Sequence, residues 1–202
     1  MANRERREKR LLFVFAVVYF MVGYYLLTWF NQHRSHYFDV GFPFEARIPF
    51  LAPAILGYLA VFVALFGLYW VVPAGQAFRN MIKVFILMVS IHYLFFIFLP
   101  VKMMGRPEII PNGFFSTLAW LYFKVDQPYN CFPSLHVAQA TLSAAVTWPY
   151  HRYRPLFIGC ALLTAVSVVL VKQHYIADSV AGAVVALLVF WIFNRFHPQS
   201  PS

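Results

Sequence analysis

Apolar residues run through this chain in long unbroken stretches rather than in amphipathic stripes. Six stretches stand out, at roughly 11–30, 51–72, 82–100, 133–150, 155–172 and 175–194. Each holds about 20 residues, enough for a helix to cross a hydrocarbon core. Prolines mark many of the edges: Pro49, Pro53, Pro73, Pro100, Pro111, Pro133, Pro149, Pro155 and Pro198. A residue without a backbone donor is best tolerated there. There is no internal repeat and no low-complexity segment. The pattern predicts an all-α integral membrane six-helix bundle, with residues 1–202 forming a single transmembrane domain.

Composition agrees. The chain is 61% hydrophobic and only 11% charged, against about 25% charged residues in ordinary soluble domains. Residues 1–10 are basic and lead into the first apolar run, as in a signal peptide. That run, Leu11–Phe30, is long enough to span and lacks a small-residue cleavage site, so it reads as a retained first span behind a cytoplasmic tail. Cys131 and Cys160 make no disulfide framework, and the expected topology sets them far apart in depth.

A net charge of +9 raises the question of nucleic acid. The basic residues are scattered over short loops and one tail, so membrane topology accounts for them and no nucleic-acid partner is expected. With the N-terminus inside, the inner face carries Arg4, Arg6, Arg7, Lys9, Arg10, Arg79, Lys83, Arg152, Arg154 and Arg195. The outer face carries Arg34, Arg47, Lys102, Arg106, Lys124 and Lys172. Ten against six satisfies the positive-inside rule and puts both termini in the cytoplasm. The long connections, 31–50 and 101–132, then lie outside. His136, His174, Asp178, Lys102, Arg106 and Lys172 converge on that outer rim, with Asp39, Glu45, Glu108 and Asp126.

Two segments carry the candidate chemistry: Asn130-Cys131-Phe132-Pro133-Ser134-Leu135-His136 and Lys172-Gln173-His174-Tyr175-Ile176-Ala177-Asp178. Ionisable groups at the edge of apolar spans are rare unless they pair or work. Asp178 follows His174 by four residues, one helical turn. A carboxylate on one imidazole nitrogen fixes the tautomer and sharpens the other as a nucleophile toward phosphorus. His136 then protonates the leaving oxygen and later activates the acceptor. Charge spreading over the phosphoryl oxygens calls for cations, which Arg106, Lys102 and Lys172 offer. Arg106 is the better clamp because its planar fork binds two oxygens. Ser134 is a candidate N-cap or phosphate ligand. Asn130 and Asp126 are candidate head-group contacts, with a capping role for Asn130 equally in view.

Pro133-Ser134-Leu135-His136 resembles the Pro-Ser-Gly-His motif of the type-2 phosphatidic acid phosphatase superfamily. Ser167, His174 and Asp178 match the spacing of its third motif, Ser-Arg-x5-His-x3-Asp, and Arg106-Pro107 resembles the Arg-Pro that closes its first. The match runs in order over about 100–185, so residues 101–185 form the motif-bearing region. Val168 stands at the third-motif Arg position, Leu135 at the second-motif Gly, and Lys102 lies four residues before Arg106. His174-Tyr175 with Asp178 looks close to the sphingomyelin and inositol phosphorylceramide synthase branch, and small bacterial lipid phosphatases share this look. The resemblance implies His174 as nucleophile, Asp178 as its orienter, His136 as acid/base and Arg106 as phosphate ligand, with no metal and no cofactor. It implies a multi-pass protein, of a bacterial inner membrane, acting on a phospholipid or polyprenyl phosphate at the outer leaflet.

The first reading is therefore a lipid-phosphate phosphatase. A head-group phosphotransferase is the same-class alternative. Val168 also admits a non-catalytic lipid-binding protein, and two histidines with a carboxylate admit a zinc site. The cationic cluster fits phosphate better, since Arg and Lys repel a metal.

Overall fold

A computed structural model describes residues 2–197, which leaves Pro198 as an edge marker outside the described residues. Seven α-helices follow one another: α1 (Ala2–Gln32), α2 (Ile55–Val71), α3 (Gln76–Phe98), α4 (Phe114–Val125), α5 (Leu135–Val146), α6 (Arg154–Leu170) and α7 (Ile176–Phe196). Two short 3-10 turns, Pro43–Arg47 and Ala52–Ala54, precede α2. Among the described residues the only β pairing is an isolated bridge between Phe38 and Val101.

Among the described residues the expected six helices become seven. Helix α4 lies inside the segment 101–132, which the sequence marked as a loop. Its twelve residues, between Gly113 and Asp126, rise only about 18 Å, too short to span. Four helices, α1, α2 with its preceding turn, α3 and α7, are long and apolar enough to cross a membrane. Helices α5 and α6 are shorter, at 12 and 17 residues. The protein is an integral membrane protein of helical architecture.

Local chemistry sets the helix boundaries. Pro73 follows α2 and Pro100 follows α3, while Pro155 occupies the first turn of α6. Ser134 caps α5, its hydroxyl accepting from the Val137 amide at 3.4 Å. Asp178 caps α7, accepting from the Tyr175 amide at 2.8 Å.

Helix α2 packs along α6, α5 against both α6 and α7, and α1 along α3. The main core gathers Leu68, Phe78, Met88, Phe96, Leu142 and Phe157. At the end away from the histidines, Glu8 takes a forked pair of hydrogen bonds from Arg79 at 2.8 and 2.9 Å, joining α1 to α3. Nearby, Phe13 of α1 meets Tyr69 of α2 with ring centroids 5.1 Å apart.

One packing contact bears on the site. Gly182 of α7 lies against the backbone of Ser134, and a Cβ there would run into the Ser134 carbonyl. The obstacle is backbone that also carries the α5 cap, so it cannot swing aside. Gly182→Ala should cost about 1–3 kcal/mol of overpacking, which exceeds the roughly 1 kcal/mol that alanine gains in a helix. A lowered Tm in detergent, with reduced activity, is the expected result. An unchanged Tm would mean the helices can separate without strain.

Candidate active site

The two histidines the sequence singled out stand face to face. His174 sits in the short connection between α6 and α7, where Gln173 and His174 both donate backbone N–H groups to the Val168 carbonyl. His136 occupies the first turn of α5. His136 Nδ1 and His174 Nε2 are 3.4 Å apart. Both side chains are shielded: His174 is 3% exposed and His136 11%.

The far nitrogen of each ring is anchored. His174 Nδ1 lies 3.0 Å from the Cys131 carbonyl and 3.4 Å from Asp178 Oδ2. The carbonyl is the nearer partner, and Asp178 is the secondary one. A carbonyl only accepts, so Nδ1 carries the proton and Nε2 keeps its lone pair toward His136. Asp178 is fully buried. One of its oxygens is held by the Tyr175 amide, while Oδ1 has no partner among the described residues.

His136 Nε2 is 2.9 Å from the Tyr58 hydroxyl and 3.8 Å from Asp126 Oδ2. Asp126, at the end of α4, is a hub. It accepts from Tyr24 at Oδ1 and from Tyr58 and Gln173 at Oδ2, each at 2.6 Å. Neither oxygen is left open at the surface, so the carboxylate expected at a head group is enclosed in a network. Sequence reading missed Tyr24, Tyr58 and Gln173. A buried tyrosine hydroxyl in an apolar span needs a partner, but nothing in the sequence says which.

Arg106 is half-buried, its guanidinium carbon 3.6 Å above the Phe123 ring. Nη2 donates to the Asp126 carbonyl at 2.6 Å and to Gln173 Oε1. Nε is buried without a partner among the described residues. Burial lowers the Arg106 pKa and the Asp126 carboxylate opposes that shift. A guanidinium is so weakly acidic that the group stays charged.

The remaining candidates are occupied elsewhere. Lys172 is buried and donates to the Glu45 carbonyl at 2.8 Å, while the Glu45 carboxylate receives the Ile176 amide at 2.6 Å. Lys102 lies over the Tyr37 and Tyr129 rings, at 5.6 and 5.1 Å. Asn130 turns to α1, where it meets Asn31 at 2.5 Å and Thr28 at 2.9 Å. The cap of α5 is Ser134 rather than Asn130.

An apolar cavity of about 150 Å³ reaches His136 and Asp126 between α1, α2, α4 and α5, lined among others by Phe20, Tyr24, Phe62, Tyr122 and Gln139.

Among the described residues, one cluster has metal-ligand character: Cys131, His174 and Asp178, whose donor atoms lie within 4.8 Å of one another. It is not the two-histidine set the sequence offered. Burial pushes the Cys131 thiol well up, and the Asp178 and Asp126 carboxylates push it further. A metal therefore has to displace a firmly held proton. Bound at His174 Nδ1, it would also force the ring proton onto Nε2 and remove the lone pair facing His136.

These residues fall within a family match. The chain matches the PAP2 superfamily over residues 43–192. No curated protein and no solved structure matches it. The matched stretch holds both histidines, Asp178, Arg106, Tyr58 and Asp126, and it is most of the chain: this protein belongs to the PAP2 superfamily, whose members are generally phosphoesterases and phosphotransferases.

Proposed function

We propose that the protein is a lipid-phosphate phosphatase working through a phosphohistidine on His174. The observation that carries this reading is the pair of facing nitrogens, His174 Nε2 and His136 Nδ1, each on a ring anchored from behind. A phosphorus placed between them meets a lone pair from His174, and its leaving oxygen meets a proton from His136. The apolar cavity beside His136 supports a lipid alcohol as the leaving group, with its chain held between α1 and α2. His174 attack breaks the P–O bond to the lipid. His136 protonates the departing alcohol, then takes a proton from water as the P–N bond is hydrolysed to free phosphate.

A head-group phosphotransferase shares the first half of this cycle. The shielding of His174 favours it, because a site open to an apolar cavity admits a second lipid hydroxyl more easily than bulk water. Purified protein supplied with phospholipids and isoprenoid phosphates separates the two. Free phosphate supports the phosphatase, and a new phospholipid supports the transferase. Neither product from any substrate would leave a lipid-binding protein of this fold.

The distribution of basic residues supports an extracytoplasmic site with cytoplasmic termini. A single cysteine at Asn112, which is exposed, should react with an impermeant thiol reagent in intact cells when Cys131 and Cys160 are replaced. Labelling only after the membrane is opened would reverse the orientation and the leaflet.

A further inference from the structure

His174 and His136 are held by the same device used twice. Behind His174 stand a carbonyl and a carboxylate. Behind His136 stands a chain of two hydrogen bonds. Tyr58 donates to Asp126 Oδ2 at 2.6 Å, so its oxygen is free to accept from His136 Nε2 at 2.9 Å. The order Nε2–H to Tyr58 oxygen to Asp126 carboxylate fixes the proton on Nε2 and leaves Nδ1 to face His174. Asp126 is itself held by Tyr24 and Gln173 as well as Tyr58. Three donors at 2.6 Å leave the carboxylate almost no freedom to turn.

We propose that Asp126, acting through Tyr58, is the positioning residue of the His136 acid/base, a second carboxylate device parallel to Asp178 behind His174. The proposal rests on the reading of His174 as nucleophile and His136 as acid. When the lipid alcohol departs, His136 Nδ1 gives it a proton. The imidazolium that supplied it had its charge balanced by Asp126 across the Tyr58 hydroxyl. When the acceptor is activated, Nδ1 recovers the proton, and Nε2–H stays on Tyr58 throughout. Gln173 links the two halves: its side chain donates to Asp126 while its backbone leads directly into His174.

Leaving-group chemistry separates this role from a structural one. An alkyl alkoxide cannot depart without a proton, whereas a nitrophenolate can. We would measure kcat/KM, which reports the P–O cleavage step, on a short-chain alkyl lipid phosphate and on a nitrophenyl phosphate carrying the same chain. Asp126→Asn keeps the shape of the side chain and removes its charge. It should slow the alkyl substrate by about ten- to a hundredfold and the nitrophenyl substrate by no more than about threefold. Tyr58→Phe deletes only the bridging hydroxyl and should show the same selectivity, so it carries the test if Asp126→Asn does not fold. Asp178→Asn, which acts on the nucleophile, should slow both substrates alike. Equal losses on the two substrates in the Asp126 and Tyr58 variants, or no loss on either, overturn the proposal alone. A wild-type protein inert on both overturns it together with the reading on which it rests.

Discussion

His174→Ala protein should fold and turn over no substrate. The covalent route has no substitute attacker: His136 Nδ1 points at the position His174 vacates, but its ring is tied to Tyr58 from the other side. The structural cost is limited. Alanine leaves the Cys131 carbonyl without its imidazole partner, a loss of about 1–3 kcal/mol, and a modest drop in Tm measures it. Asp178→Asn should be impaired less completely, because the Cys131 carbonyl still fixes the His174 tautomer at 3.0 Å. Loss of the carboxylate removes the charge that stabilises the ring as it takes on phosphorus. Substantial turnover by purified, folded His174→Ala would eliminate the nucleophile assignment.

Arg106→Ala should cost about 2–4 kcal/mol of transition-state stabilisation, comparable to losing one preorganised donor to a developing oxyanion. Val168 occupies the position where the superfamily motif carries an arginine, and it is fully buried in the apolar cluster around Ile55 and Val171, so the charge has to be met by another group. Arg106 spends Nη2 on Asp126 and Gln173 and keeps Nε unpartnered. Its position against Gln173 puts the guanidinium one residue from the nucleophile. Arg106→Lys should recover only part, since an ammonium grips as a point charge. Lys172→Ala should cost less in kcat/KM, because its ammonium is already engaged by the Glu45 carbonyl. The ratio of kcat/KM values on one short-chain lipid phosphate decides the matter. A near wild-type Arg106→Ala beside a dead Lys172→Ala would move the clamp to Lys172.

What the sequence made legible follows from the range of the interactions involved. Six apolar runs lie where α1, α2, α3, α5, α6 and α7 form, because a long apolar stretch has few other options. Helix α4 was hidden by its length. His136, His174 and Asp178 stood out because ionisable groups at the edge of apolar spans are few and their spacing is local. The fates of the other candidates depend on distant partners that spacing cannot encode. Lys172 meets a carbonyl 127 residues away, and Asn130 meets side chains about a hundred positions earlier. Asp126 reads from sequence as a head-group contact, and only the folded chain brings Tyr24, Tyr58 and Gln173 around it.

The central claim is a covalent phosphoenzyme on His174, and trapping it is the most direct measurement. Protein mixed with a lipid phosphate labelled at phosphorus, quenched in base to preserve a phosphoramidate bond and digested, should carry label on the peptide containing His174. His136→Ala supplied with a labelled nitrophenyl phosphate, whose leaving group needs no proton, should accumulate that label because hydrolysis of the P–N bond loses its base, and His174→Ala should carry none. Label on another residue, or turnover by wild type with no labelled histidine at any quench time, would contradict the account.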